Sequence, residues 1–164
     1  MSGASGLRIG LGFDVHPFAA DDKPLVLGGV TIPGARGLAG HSDANVAAHA
    51  VADAVLGAAG LPDLGACFPA SDDRYAGASS IALLDEVMAK VRAAGFAVVN
   101  VDLVIAAEQP RLSQHIAAMA ARLTDVVGAP TNVKPKHAEG VGAVGRGEGI
   151  AAWAVALIET ESAA

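Results

Sequence analysis

Cysteine, aromatic residues and clustered positive charge are all scarce in this 164-residue chain. The single cysteine, Cys67, excludes an internal disulfide framework and fits a reducing, cytoplasmic compartment. A net charge of −6 without a long basic run argues against a nucleic-acid surface, and an aromatic content of 4% weakens any role in base stacking. No apolar run approaches the ~20 residues of a membrane-spanning helix. We therefore expect neither nucleic acid nor membrane as a partner.

Apolar residues, in contrast, are abundant enough for one hydrophobic core. They make up 52% of the sequence, which predicts a single domain over residues 1–164 with a flexible N-terminus at residues 1–6. Strands are predicted at 7–15, on both sides of Gly28-Gly29, at 96–107 and at 131–137. Helices are predicted after an N-cap at Ser42 or Asp43, at 81–91, at 112–123, and along the apolar segment 145–161.

The segment GFDVHPF, residues 12–18, places an acid and an imidazole two residues apart in a predicted strand. Successive strand side chains point to opposite faces, so Asp14 and His16 share one face while Val15 points the other way. Carboxylate and imidazole are both ligands that zinc accepts. The pattern indicates two converging metal ligands.

His49 supplies a third candidate ligand from the predicted helix that follows. It shares a helix face with Asp53, four residues further on. One interpretation is a core histidine whose imidazole is satisfied by Asp53. The other joins His49 to Asp14 and His16 as a three-ligand zinc site with an open position, where Asp53 orients an imidazole.

Three further polar signals allow two interpretations each. His41 and Ser42 precede a helix N-terminus, which favours either ordinary capping or an anion such as phosphate. Arg146 in GRGEG either binds phosphate or pairs with Glu148. Glu139 is either a solvated loop acid or a ligand for a hard cation.

In this order and spacing, the motifs closely resemble the 2-C-methyl-D-erythritol 2,4-cyclodiphosphate synthases of the non-mevalonate isoprenoid pathway. The resemblance covers residues 8–158 and includes GFDVHPF, LGGVTIP, GHSDANVAAHAVADAVLGAAGLPDLG, NVDLVI, AAEQPRL and GRGEGIA. It implies an α+β fold in which helices cover one face of a mixed β-sheet. It also implies a homotrimer around a central cavity, with active sites between subunits.

The implied reaction is metal-dependent and cyclising. The 2-phosphate of 4-diphosphocytidyl-2-C-methyl-D-erythritol 2-phosphate attacks the β-phosphorus and expels CMP. By the resemblance, Asp14, His16 and His49 bind Zn²⁺, and Glu139 holds Mg²⁺ or Mn²⁺ through the substrate diphosphate. The resemblance implies two catalytic residues: His41, in the loop over the reacting phosphates, and His137, at the position of a threonine that normally supports the transition state.

The resemblance also assigns the substrate contacts to three regions and one cavity residue. Besides the metal ligands, these contacts are His41 and Ser42 at the reacting phosphates; Asp63, Leu64, Gly65, Phe68 and Asp72 at the methylerythritol; Ala107, Pro110, Arg111, Leu112, Lys136 and His137 at the cytidine end; and Arg146 at the trimer cavity.

Several positions depart from the family pattern. The family's KATTTE is KPKHAE here, so His137 stands where a threonine is usual. The family's FPDTD loses an acid at Ala70, SDGDV becomes SDANV, and Ala143 replaces an aromatic residue. The altered loop keeps a second reading open, a non-catalytic zinc-containing trimer that binds a phosphorylated isoprenoid or nucleotide. A third reading is a metal-dependent hydrolase.

Overall fold

The described part of the chain contains six strands and five α-helices. The computed structural model describes residues 6–161, so the flexible N-terminus predicted at residues 1–6 lies outside the described residues apart from Gly6. The strands are β1 (Leu7–Pro17), β2 (Pro24–Leu27), β3 (Val30–Arg36), β4 (Phe96–Ala106), β5 (Thr131–Lys136) and β6 (Gly149–Thr160). The helices are α1 (Val46–Ala59), α2 (Leu64–Cys67), α3 (Ser80–Ala93), α4 (Ile116–Val127) and α5 (Gly142–Gly145). None of the helices within the described range is long and apolar enough for a bilayer crossing.

The architecture is a mixed sheet with helices on one face. Four strands pair in the order β1-β6-β4-β5, and β2 and β3 form a separate hairpin. Only the β4–β5 pairing is parallel in the four-stranded sheet. Helix α1 packs on β1 and β6, while α3 and α4 pack on β4 and β5. The predicted α+β class is confirmed.

The helix predicted over residues 145–161 is wrong, because this segment forms the central strand β6 between β1 and β4. Small side chains at Ala152, Ala154 and Ala156 are fully buried beneath the helices, and Trp153 and Val155 point to the other face. This is an alternation with period two, the signature of a strand. Both faces of β6 carry apolar side chains, so its sequence is one continuous apolar run. The period-two alternation of a strand is therefore not visible in the sequence.

The N-cap of α1 is Asn45, and not Ser42 or Asp43 as the sequence predicted. The Asn45 side-chain oxygen accepts hydrogen bonds from the backbone N–H of Ala48, at 3.2 Å, and of Gly28, at 2.9 Å. Asn45 is completely buried, so one carbonyl oxygen both caps the helix and ties it to the β2–β3 turn. Asp43 is thereby released for a different contact, described below.

Glycines let α1 lie unusually close to β1. A Cβ atom built on Gly12 would lie 1.9 Å from the Ala50 carbonyl oxygen, and one built on Gly10 would lie 2.0 Å from that of Ala54. No side chain larger than hydrogen fits at either position unless the helix moves. The glycines of β1 and the alanines of α1 and β6 therefore fix the depth at which the helix sits on the sheet.

The opposite face of the sheet carries large apolar side chains that residues 6–161 leave exposed. Ile9 is 72% exposed and Leu11 67% exposed, and Phe13 and Trp153 stack with ring centroids 5.2 Å apart. We call this surface the open face; its large apolar members are Leu7, Ile9, Leu11, Phe13, Val15, Trp153 and Val155. A contiguous apolar surface of this kind marks an interaction site.

We expect Gly12→Ala to destabilise the chain by about 1–3 kcal/mol, because the added methyl group must displace the backbone of α1. The matched control is Gly57→Ala in α1, where a Cβ meets nothing within 4 Å. That variant should be neutral or up to about 1 kcal/mol more stable, since alanine is the better helix former. Denaturant unfolding of both variants checks the difference, and equal stability would contradict the close packing.

Candidate metal centre and adjoining clefts

One end of the sheet collects the predicted site residues. The pairing register aligns Val15 with Ala151, Ala151 with Ala106, and Ala106 with Lys136 in one row across the four strands. Neighbouring strands lie about 4.8 Å apart, so Val15 and Lys136 are about 14 Å from each other. Asp14 and His16 flank Val15 and face α1.

Asp14, His16 and His49 converge at this end of the sheet. The Asp14 Oδ2 atom lies 3.0 Å from His16 Nε2 and 2.9 Å from His49 Nδ1, and the two nitrogens are 3.4 Å apart. Their side chains keep between 12% and 24% of their exposure, so the cluster is partly buried but reachable. The predicted convergence of a strand and a helix is confirmed, and the three residues form a possible metal-binding site.

The imidazole of His16 is oriented by the backbone. Its Nδ1 atom lies 2.7 Å from the carbonyl oxygen of Ala39, which can only accept a hydrogen bond. Nδ1 therefore carries the proton, and the lone pair of a neutral His16 ring is on Nε2, directed at the cluster. This is the arrangement that metal-binding histidines use.

The imidazole of His49 is oriented by Ser80. His49 Nε2 lies 2.8 Å from the Ser80 hydroxyl, leaving Nδ1 directed at Asp14. The sequence-based hypothesis that Asp53 orients an imidazole is wrong, because its carboxylate accepts a hydrogen bond from the Leu64 backbone N–H at 2.8 Å. Asp53 instead lines the cleft beside the cluster.

The charges of the cluster are strongly coupled. Burial raises the pKa of the Asp14 carboxyl, but hydrogen bonds with His16 and His49 outweigh it and hold the pKa well below its ordinary range. The hydrogen bond to Asp14 in turn raises the pKa of His16. With neutral imidazoles, three electron-pair donors would face one another, so either a proton or a cation must stabilise the convergence. A divalent cation fits this donor set.

A cleft of about 290 Å³ opens from the metal-binding cluster, and we call it the metal cleft. Many of the residues predicted for the phosphates and the methylerythritol lie in its wall. Its lining includes Asp14, His16, His41, Ser42, His49, Asp53, Leu64, Gly65, Phe68, Ala70, Tyr75 and Leu83. The lining combines polar side chains, among them His41, Ser42 and Asp53, with apolar surface from Leu64, Phe68 and Leu83.

A second cleft, of about 240 Å³, lies across the sheet and contains the residues predicted for the cytidine end. We call it the cationic cleft, because Arg111 and Lys136 line it and none of the acidic residues within 6–161 does. The described residues that line it are Ala107, Pro110, Arg111, Leu112, Ser113, Pro135, Lys136 and His137. The loop after β4 and the end of β5 build it together.

Four predicted site residues line neither cleft. Asp63 caps α2 by accepting from the Ala66 N–H, and Asp72 forms an exposed ion pair with Arg74. Glu139 is exposed in a loop and has a positive φ of 53°. Arg146 donates to Glu148 at 2.6 Å, the ion-pair arrangement left open by the sequence.

Sequence reasoning missed two residues beside the cluster, Ser80 and Asp43. Ser80 begins α3 and is 1% exposed, and its hydroxyl donates to the Asp43 carboxylate. Local sequence carries no signal for this contact because 37 positions separate the two residues. From the sequence, Ser80 cannot be distinguished from an ordinary serine at the start of a helix.

Comparisons with known proteins identify the family. The YgbB family model matches residues 7–159, and the chain belongs to this family. It is 51% identical over 158 residues to the 2-C-methyl-D-erythritol 2,4-cyclodiphosphate synthase of Bordetella petrii, which covers 94% of this chain and 97% of that protein. The resemblance inferred from the motifs is confirmed.

Solved structures agree with the sequence relatives. The bifunctional IspDF from Campylobacter jejuni matches with a TM-score of 0.91 and 37% identity, over 96% of this chain and 43% of that chain. A 2C-methyl-D-erythritol-2,4-cyclodiphosphate synthase in a CDP-bound form matches with a TM-score of 0.84 and 35% identity, over 93% of this chain and 100% of that one. The solved structures that share this fold therefore carry the same family of names as the sequence relatives.

We expect purified wild-type protein, never exposed to chelators, to contain about one divalent metal ion per chain, and His49→Ala to lose most of it. The substitution removes one of the three candidate ligands found among the described residues. Elemental analysis checks both proteins. His115→Ala is the matched control, since His115 lies at the start of α4, outside the cluster. Equal metal content in all three proteins would contradict the assignment.

Proposed function

We propose that this chain is a metal-dependent, cyclising phosphorus-oxygen lyase, a 2-C-methyl-D-erythritol 2,4-cyclodiphosphate synthase of isoprenoid precursor biosynthesis. One observation carries the proposal. Asp14, His16 and His49 converge beside a cleft in a chain that is about half identical to named synthases along nearly its full length. The cytoplasmic location and the single-domain organisation stay predictions.

The proposed reaction is intramolecular and needs no protein nucleophile. An oxygen of the 2-phosphate bonds to the β-phosphorus of 4-diphosphocytidyl-2-C-methyl-D-erythritol 2-phosphate, and the bond from that phosphorus to the CMP oxygen breaks. The protein must fold the substrate back on itself and offset phosphate charge, because positioning and electrostatics dominate phosphoryl transfer. The donors and cations around the two clefts suit that task.

Zinc is the proposed occupant of the metal-binding cluster. Two imidazole nitrogens and one carboxylate oxygen, with both remaining imidazole nitrogens hydrogen-bonded, match a zinc site with an open fourth position. A zinc ion bound there supplies Lewis-acid charge to phosphate oxygens. For Glu139 we propose Mg²⁺ or Mn²⁺, because hard cations accept one carboxylate together with substrate phosphates.

In the metal cleft, we assign the polar side chains next to the metal-binding cluster to the reacting phosphates. His41 and Ser42 both line it, and each side chain offers a hydrogen-bond donor. Leu64 and Phe68 offer apolar contact for the methylerythritol carbon skeleton, and Gly65 adds no side chain to the lining. Asp63 and Asp72, outside this lining, keep their predicted substrate contacts as proposals.

In the cationic cleft, we propose that the cytidine diphosphate end of the substrate binds. Arg111 and Lys136 provide fixed positive charge for phosphate oxygens, and Leu112 and Pro110 provide apolar surface for the base. A structurally similar synthase was solved in a CDP-bound form, which supports a nucleotide of this size. His137 takes the position of the usual threonine, and we assign it a donor role at the diphosphate.

We further propose that the working enzyme is a homotrimer in which neighbouring subunits complete each site. Within one chain the two clefts are separated by about 14 Å of sheet, and each holds only part of the predicted contacts. The open face offers the apolar surface that assembly would bury, and Arg146 would face the cavity at its centre.

We expect the wild-type chain, supplied with zinc and magnesium, to release CMP and form a cyclic diphosphate. Chelation of the metal or His49→Ala should lower CMP release at least about 100-fold, because metal charge stabilisation is worth several kcal/mol. Chromatography measures the CMP, and phosphorus NMR distinguishes the cyclic product from a linear one. His115→Ala serves again as the control and should retain turnover.

Two outcomes of the same assay would overturn the proposal. A linear hydrolysis product would indicate a metal-dependent hydrolase. Absence of CMP from the wild-type chain, together with CMP release by the Lys136→Thr, His137→Thr double variant, would show that the KPKHAE loop has lost the activity. The chain would then be a binding protein.

For the assembly, we expect light scattering to give three times the 16.2 kDa of one chain. Leu11→Glu should dissociate the trimer, since it replaces burial worth about 1.5–3 kcal/mol with a carboxylate that must be desolvated. Ala121→Glu on the exposed side of α4 is the control and should leave the mass unchanged. A wild-type monomer at micromolar concentration would remove the shared site.

A further inference from the structure

We propose that Asp43 and Ser80 form a relay that fixes the His49 imidazole in its metal-binding tautomer. Neither residue belongs to the proposed metal ligands or substrate contacts, and both act through His49, so they are positioning residues. The inference rests on the proposed metal site. It concerns how this chain prepares that site before any substrate binds.

Donor and acceptor counting gives the direction of the relay. A carboxylate only accepts hydrogen bonds, so the hydroxyl proton of Ser80 belongs to its contact with Asp43 Oδ1. The Ser80 oxygen must then accept at its 2.8 Å contact with His49 Nε2. The His49 proton is therefore on Nε2, and the lone pair on Nδ1 points at Asp14 and His16.

Asp43 is itself held in place by the backbone. Its Oδ2 atom accepts from the Ser80 N–H at 3.1 Å, and its Oδ1 atom accepts from the Asn45 N–H at 3.2 Å. These bonds come from the first residue of α3 and from the residue that caps α1. The carboxylate thus joins the starts of the two helices directly behind the metal-binding cluster.

Burial makes the relay selective. Ser80 is 1% exposed, so bulk water is a poor substitute for its hydroxyl. Ser42 is the other hydroxyl nearby, at 3.3 Å from both His49 Nε2 and Ser80 Oγ. At that distance it contributes a weaker acceptor than Ser80 does. His16 differs from His49 in this respect, since a backbone carbonyl orients it and no substitution removes that contact.

The test measures metal affinity in the intact protein with Co²⁺ and Zn²⁺ as the probes. We expect Ser80→Ala to weaken both ions by about 10–100-fold, the usual cost of losing a hydrogen-bond partner of a metal-binding histidine. Asp43→Asn should weaken them too, because its amide group donates where a carboxylate only accepts. Ser80→Thr, which keeps the hydroxyl, should restore most of the affinity.

Ser79→Ala is the matched control, because Ser79 is exposed next to Ser80 and its side chain makes no capping hydrogen bond. A second readout uses ¹⁵N-labelled histidine in metal-free protein, where the relay predicts a His49 proton on Nε2 in wild type and a shift towards Nδ1 in Asp43→Asn. If Ser80→Ala does not fold, Asp43→Asn carries both readouts alone.

The outcomes separate the relay from the metal site. A wild-type protein that binds neither ion would overturn the metal site and the relay with it. Wild-type binding with affinities in Ser80→Ala and Asp43→Asn within threefold of it, and an unchanged His49 tautomer, would overturn the relay alone. Equal weakening by Ser79→Ala would also overturn it, as a general effect of this helix start.

Discussion

The contact between α1 and the glycine face of β1 determines where the atoms of the possible metal-binding site lie. Gly10 and Gly12 have no side chains, so the carbonyl groups of Ala50 and Ala54 approach the strand directly. Asp14 and His16 continue the same face of β1, and His49 directly precedes Ala50 in α1. A deeper or shallower helix would separate Asp14 from His49, whose atoms are now 2.9 Å apart. The convergence of Asp14 and His49 therefore depends on the close packing that the glycines allow.

Part of this arrangement was predictable from the sequence alone. The alternation in GFDVHPF indicates that Asp14 and His16 share a face, because strand geometry is local. Nothing local shows that His49 meets them, since 33 positions separate it from His16. Agreement among many separated motifs supplied that information through the family resemblance. The grouping of Lys136 and His137 with the loop after β4 came from the same source.

The failures share a physical cause, which is that long-range contacts override local preference. Segment 145–161 is apolar enough for a buried helix, but pairing with β1 and β4 on both sides makes it a strand. Asp53 shares a helix face with His49, but its carboxylate accepts a hydrogen bond from the Leu64 N–H instead. Ser42 and Asp43 belong to residue types that commonly cap helices. Asn45 is the N-cap instead, and its side-chain oxygen also accepts a hydrogen bond from the Gly28 N–H in the β2–β3 turn.

The two faces of strand β1 belong to two different features, the metal-binding cluster and the open face. Asp14 and His16 point to the metal-binding cluster. Phe13 and Val15, which alternate with them along the strand, point to the open face. One backbone therefore transmits displacement from either side to the other. A partner that displaced β1 from the open face would also displace Asp14 and His16. Any change in metal affinity produced in this way would be matched, by thermodynamic reciprocity, by an equal change in the affinity of the open face for that partner.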